Sequence, residues 1–232
     1  MIRLDGATTV LAPTTDRRLG YAVAPAGVAV ATGDAVAWLL VEGGHGRLTV
    51  DGSNVDVAGR DDVFGGVGAS ALLGPGATAQ AEGGLRCLVV WRPYAGDAVP
   101  SRLIDAGDVV VEDRGAGTFA RAVRTYLPDG PLIAGETLNP PGGWSSYPPH
   151  RHDAHEEAYL YRFAPRDGFG LAATYDGDER VGQVVRDGDV TWIPSGYHPV
   201  VAAPGYTMCY VWALAGDAPF EPTLDPTHAW VG

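Results

Sequence analysis

Four residues constrain what this 232-residue chain can fold into: His150, His152, Glu157 and His198. The first three stand in Pro148-Pro149-His150-Arg151-His152-Asp153-Ala154-His155-Glu156-Glu157-Ala158-Tyr159. The fourth ends Gly188-Asp189-Val190-Thr191-Trp192-Ile193-Pro194-Ser195-Gly196-Tyr197-His198. Three imidazoles and one carboxylate make a good ligand set for a divalent transition metal. Residues two apart share a face of a strand, so extended backbone turns His150 and His152 the same way. Glu157 joins them if the chain turns and resumes as a strand, with Tyr159 and Tyr161 continuing its face. His198 follows a Pro-x-Gly turn after a further strand candidate. The spacing therefore suits a β-barrel. His45, His155 and His228 have no such pattern and are read as surface or satisfied core residues.

The chain holds 33 Gly and 18 Pro, which points to short strands joined by tight turns. Its net charge of −12 lacks the cationic footprint expected for binding nucleic acid or anionic membrane. No apolar run reaches the length of a membrane span. Met1-Ile2-Arg3-Leu4-Asp5 does not open a secretory signal, so a soluble, cytoplasmic protein is expected. Cys87 and Cys209 each lie in an apolar run and read as buried free thiols.

Strand candidates recur along the chain. Ala35 to Val41 is apolar throughout, Glu42 to Gly46 reads as a turn, and Arg47 to Val50 alternates, so a hairpin is expected there. Further candidates are Ala71–Leu73, Leu88–Trp91, Val109–Val111, Ala158–Phe163, Gly182–Val185, Val190–Ile193 and Cys209–Leu214. Thr118 to Tyr126 fits a short helix or a strand. The halves read as faint copies, with Asp61-Asp62-Val63-Phe64 matching Gly188-Asp189-Val190-Thr191 and Ala71 falling where His198 falls. The expected division is residues 1–100, a degenerate copy without His-x-His, and residues 101–232, the copy with the ligands.

The order His-x-His, Glu, then a distant His is the two-part signature of the cupin barrel, and the chain resembles that superfamily. From Leu132 to Gly216 it resembles, more narrowly, the 5-deoxy-glucuronate isomerase family of inositol catabolism. The resemblance is carried by Gly135 to Asp153, above all Trp144-Ser145-Ser146-Tyr147-Pro148-Pro149-His150-Arg151-His152, and by Glu156 to Phe163 and Gly168-Phe169-Gly170. Arg186 to Val190, Pro194 to Val200 and Ala203 to Tyr206 complete it. It implies an all-β, duplicated cupin (bicupin) fold with the metal site in the C-terminal barrel. It also implies a divalent metal, zinc or manganese, held by His150, His152, Glu157 and His198. The implied reaction is the aldose–ketose conversion of 5-deoxy-glucuronate to 5-dehydro-2-deoxy-gluconate. The chain departs from the family pattern in three places. Ala172-Ala173 stand where the family usually has Gln-Arg, removing a carboxylate clamp. The loop between His152 and Glu157 is shorter, and so is the N-terminal side.

Such an isomerisation needs electrophilic help at the carbonyl and a group that carries a proton between carbons. Glu156 neighbours a ligand on a strand, so it is expected to face away as a surface carboxylate. Tyr175 is the expected proton carrier, since it shares a face with Ala173. Tyr159, Tyr161 and Tyr210 are expected to line the cavity and bind sugar hydroxyls, and Trp144 and Tyr147 to shape its mouth. Two other functions stay open: a cupin dioxygenase using iron, and a non-catalytic cupin that binds a sugar acid. The expected partner is a small sugar acid, with a homodimer possible.

Overall fold

The computed structural model describes residues 1–231, and these are built almost wholly of antiparallel strands. The chain divides into two compact units: Met1–Val109 with Tyr126–Ile133, and Val110–Thr125 with Ala134 onward.

The first unit is a pair of antiparallel sheets. One has five strands in the order Arg3–Asp5, Val28–Ala31, Thr78–Gly83, Gly46–Val50, Ser53–Val57. The other has six, in the order Arg102–Ile104, Ser70–Leu73, Ala35–Gly43, Arg86–Pro93, Gly20–Ala24, Thr8–Leu11. Alternate residues of these strands, such as Ala37, Leu39, Leu48, Val50, Ala71 and Val89, fill the core between them. The expected hairpin is displaced. Ala35–Gly43 and Gly46–Val50 belong to different sheets, and Gly46–Val50 instead pairs with Ser53–Val57 across Asp51-Gly52. Asp51 (φ 45°) and Gly52 (φ 85°) both take the left-handed conformation that a two-residue hairpin turn of matching twist requires.

The second unit repeats the plan. Its six-stranded sheet runs Val110–Arg114, Arg121–Leu127, Leu132–Asn139, Thr207–Gly216, His155–Ala164, Val190–Ile193. Its four-stranded sheet runs Trp144–Ser145, Val200–Ala202, Phe169–Asp176, Glu179–Arg186, and a short ribbon pairs His150–Arg151 with Thr223–Leu224. The ambiguous stretch resolves into a 3-10 turn, Gly117–Phe119, followed by the strand Arg121–Leu127. Tyr159, Tyr161, Phe163, Met208 and Tyr210 from one sheet pack on Ala172, Val185, Val200 and Ala202 from the other.

In each unit one long strand is flanked by the same two partners. Ala35–Gly43 lies between Arg86–Pro93 and Ser70–Leu73, and His155–Ala164 lies between Thr207–Gly216 and Val190–Ile193. This corrects the sequence register of the repeat. Ala71 sits inside a strand, opposite Leu39, whereas His198 lies beyond the strand Val190–Ile193. The Asp61–Phe64 match was a turn resemblance only, because those residues precede the strand rather than form it. Aligning the long strands at their first residues sets Ala37, Leu39 and Val41 where Glu157, Tyr159 and Tyr161 stand. The first unit is thus filled with hydrocarbon at the positions where the second carries polar atoms.

Candidate metal centre

His150 lies on the short ribbon with Thr223–Leu224, and His152 follows it. A turn at Asp153-Ala154 returns the chain to the strand His155–Ala164, whose third residue is Glu157, opposite Ile193 on one side and Leu214 on the other. His198 follows the Pro194–Gly196 turn. These elements bring the four residues together. The ring centroids of His150 and His152, His150 and His198, and His152 and His198 are 5.0, 4.9 and 5.1 Å apart. One nitrogen of each imidazole lies within 4.8 Å of the others. Glu157 Oε2 lies 3.3 Å from His152 Nε2 and 3.0 Å from His198 Nε2.

The electrostatics suit a cation at the centre of this set. His198 Nδ1 stands 2.8 Å from the Gly196 carbonyl oxygen, and as donor there it leaves the Nε2 lone pair free. That Nε2 is buried and, despite its closeness to Glu157, makes no hydrogen bond of acceptable geometry. Burial, reinforced by the neighbouring imidazoles, pushes His150 down to about 4, so it stays neutral and able to ligate. Burial pushes the Glu157 carboxyl up, but His152 and His198 overcome this and hold it far below the usual carboxylate range. A buried carboxylate set among three imidazoles calls for positive charge between them. The His3Glu donor set fits a divalent ion of the zinc type.

Three of the predicted tyrosines lie between the two sheets beside these residues, all buried. Tyr159 donates to Glu157 Oε2 at 3.2 Å and pairs with the Ser146 hydroxyl at 2.8 Å. Tyr210 pairs with the Ser145 hydroxyl at 2.6 Å, and its ring centroid is 4.4 Å from that of Tyr159. The Tyr161 hydroxyl is buried without a hydrogen bond of good geometry. Burial raises the pKa of all three phenols, and the Glu157 charge adds to it, so they serve as neutral donors. Ser145 and Ser146 were missed as site residues, although both lie inside the Trp144 to His152 string. Ser146 adopts a left-handed φ of 49°, a strained position at the cavity wall.

Tyr175 takes a different place. Its ring lies 5.3 Å from that of Tyr197, and its hydroxyl donates to Asp225 Oδ2 at 2.6 Å. Among the described residues, no hydrogen bond or ring contact joins it to the three histidines. Ala172, not Ala173, packs with Tyr159, Tyr161 and Tyr210, so the face that Tyr175 shares is the opposite one. Glu156 is buried, contrary to the surface position expected from its place beside Glu157. The strand that carries it is hydrogen-bonded on both edges and buried on both faces. Phe220 and Asp225 also escaped sequence reading, lying in a C-terminal segment with no periodic pattern. The Phe220 ring stands 4.9 Å from that of His152, and Asp225 N–H donates to the Pro149 carbonyl oxygen at 2.8 Å.

Residues 25–231 match the KduI/IolB family model. The chain belongs to the KduI/IolB family. It is 40% identical over 147 residues to the 5-deoxy-glucuronate isomerase of Geobacillus thermodenitrificans, a match covering 57% of this chain and 54% of that protein. It is 33% identical over 168 residues to the protein of the same name from Halalkalibacterium halodurans, covering 66% and 62%. The chain spans about half the length of the curated relatives it matches. An IolB-like protein from Salmonella typhimurium LT2 superposes with a TM-score of 0.86 at 27% identity, covering 98% of both chains. An oxalate decarboxylase from Lactobacillus farciminis superposes at 0.64 with 11% identity, covering 97% of this chain and 86% of that one, a likeness of fold alone. The chain is therefore a KduI/IolB protein of duplicated cupin fold. Among the described residues, no helix is long and apolar enough to cross a membrane.

Proposed function

We propose that this protein is a metal-dependent aldose–ketose isomerase that converts 5-deoxy-glucuronate to 5-dehydro-2-deoxy-gluconate in the cytoplasm. One observation carries the reading: three imidazole nitrogens within 4.8 Å of one another, backed by a carboxylate and walled by tyrosine hydroxyls. The names of the relatives point to the same chemistry.

His150, His152, Glu157 and His198 would hold the ion, with zinc or manganese as our choice. When bound, such an ion supplies Lewis-acid polarisation of a carbonyl oxygen. The protein's own groups do the rest. Glu157 accepts from Tyr159, and Ser146 fixes that phenol from its other side, so the hydroxyl is preset before substrate arrives. Ser145 does the same for Tyr210. The neutral phenols of Tyr159, Tyr161 and Tyr210 serve the sugar hydroxyls as donors without adding charge to a buried cavity. The rings of Tyr159, Tyr161 and Tyr210 exclude water from one side. The Tyr175–Asp225 pair, on the other face of its strand, braces the segment that ends at Pro149, next to His150.

The test is an isomerase assay on 5-deoxy-glucuronate with protein of measured metal content, beside His152→Ala. Turnover that disappears together with the metal in the variant supports the reading. A metal-loaded wild type that binds the sugar acid without converting it sinks the isomerase and leaves the non-catalytic binding protein, which Ala172-Ala173 favour.

A further inference from the structure

A sugar acid brings a carboxylate into a site that already contains Glu157, and a cation must offset it. The strand Phe169–Asp176 offers none on the stretch Leu171-Ala172-Ala173. Three other arginines of the second unit meet carboxylates, and Arg180 and Arg186 lie on the exposed strand Glu179–Arg186. Arg124 Nη1 contacts the buried Glu136 carboxylate at 3.2 Å. Arg151 lies 3.0 Å from Asp153 and 3.6 Å from Asp176. Arg166 contacts Asp187 at 2.8 Å.

Arg121 differs from all of these. It is half-buried at the start of the strand Arg121–Leu127, and its Nη1 donates to the Phe119 carbonyl oxygen at 3.0 Å. No carboxylate among the described residues pairs with it. The strand register sets Arg114 directly opposite, an arrangement of like charges that is unfavourable without an anion. Glu112 offsets Arg114, and nothing offsets Arg121.

Its neighbourhood borders the segment Trp144–Tyr147, which leads to His150. The turn Gly117–Phe119 packs on Trp144–Ser145, and the Phe119 ring stands 5.8 Å from that of Tyr147. Ser145 and Ser146, beside these, hold the hydroxyls of Tyr210 and Tyr159. Burial is the largest influence on the Arg121 guanidinium and pushes its pKa down, and the like charge of Arg114 adds to it.

We infer that Arg121 is the residue that receives the carboxylate of the sugar acid. This rests on the isomerase reading of the site for the identity of the acid. A planar guanidinium held on one side by a carbonyl keeps its remaining N–H groups for two-point contact with a carboxylate.

The test is calorimetric binding of 5-deoxy-glucuronate and of its uncharged amide to the metal-loaded protein, to Arg121→Gln and to Arg121→Lys. The wild type should prefer the acid by about 10- to 100-fold, the range expected for a charged hydrogen-bonded contact. Arg121→Gln should lose that preference and Arg121→Lys should keep part of it, with metal content unchanged in both. If Arg121→Gln fails to fold, Arg121→Lys carries the test, and an undiminished preference there overturns the assignment. A wild type that binds acid and amide alike, or an Arg121→Gln that still prefers the acid, also overturns it. Turnover measured on the same samples separates the two readings. Loss of preference in a protein that never isomerises the sugar keeps Arg121 and removes the isomerase.

Discussion

Glu157 Oε2 lies 3.0 Å from His198 Nε2, while the other nitrogen of that imidazole is tied to the Gly196 carbonyl oxygen. The turn that delivers the ring therefore fixes it through one nitrogen and leaves the other facing the carboxylate. Orientation of this kind tunes how well an imidazole ligates a metal.

Replacing Glu157 by Gln keeps the shape and removes the charge. Metal affinity should fall by about tenfold or more, because one anionic ligand is lost and the two imidazoles lose their carboxylate. Titration with zinc against a competing chromophoric chelator measures it. An unchanged affinity would exclude Glu157 from the ligand set.

Gly196 has φ 90°, and a Cβ placed there would stand 3.0 Å from the Tyr175 carbonyl oxygen. Gly196→Ala should therefore cost about 1–3 kcal/mol of stability and displace His198. Denaturant unfolding together with metal content checks both effects. A stable variant that has lost its metal would separate positioning of the ligand from folding.

The Tyr175–Asp225 hydrogen bond joins residues that lie fifty positions apart. Tyr175→Phe removes the donor and leaves the ring against Tyr197. The pair touches none of the four convergent residues, so stability should fall by about 1 kcal/mol with kcat nearly unchanged. A large loss of kcat at constant metal content would instead make Tyr175 the proton carrier.

Burial pushes the Cys87 thiol up to about 12 from an ordinary 9.0. Below pH 9 the thiol is protonated in both folded and unfolded chains and has no linkage effect. Between pH 9 and 12 the unfolded chain releases this proton and the native one retains it, so stability falls by about 1.4 kcal/mol per pH unit. Above 12 the effect levels off. Unfolding curves of the wild type and Cys87→Ala across this range should converge as pH rises. At pH 8 an alkylating reagent should label neither Cys87 nor Cys209 until denaturant is added, since both are buried and unbridged.

The convergence of His150, His152, Glu157 and His198 was legible because each one is fixed by local chemistry, strand alternation for the first three and a Pro-x-Gly turn for the last. The strands Val190–Ile193 and Gly46–Val50 were legible for the same reason. The hairpin was misplaced because two glycine-rich turns compete around Gly46–Val50. Only Asp51-Gly52 has the paired left-handed residues of a tight hairpin, a property of φ and not of glycine count. Glu156 was misjudged because alternation assumes one wet face, and His155–Ala164 has none. Arg121 and Asp225 left no local trace. Their roles depend on what stands beside them in space, Phe119 and the Trp144–Ser145 edge for one, Tyr175 and Pro149 for the other.

The ribbon between His150–Arg151 and Thr223–Leu224 has a consequence for the order in which a growing polypeptide acquires its parts. All four convergent residues have been synthesised by position 198, yet the strand that pairs with His150 is made only at positions 223 and 224. A nascent chain thus holds every donor atom before it holds the backbone that fixes one of them. The backbone that holds His150 by strand pairing is made after all four side chains that converge beside it.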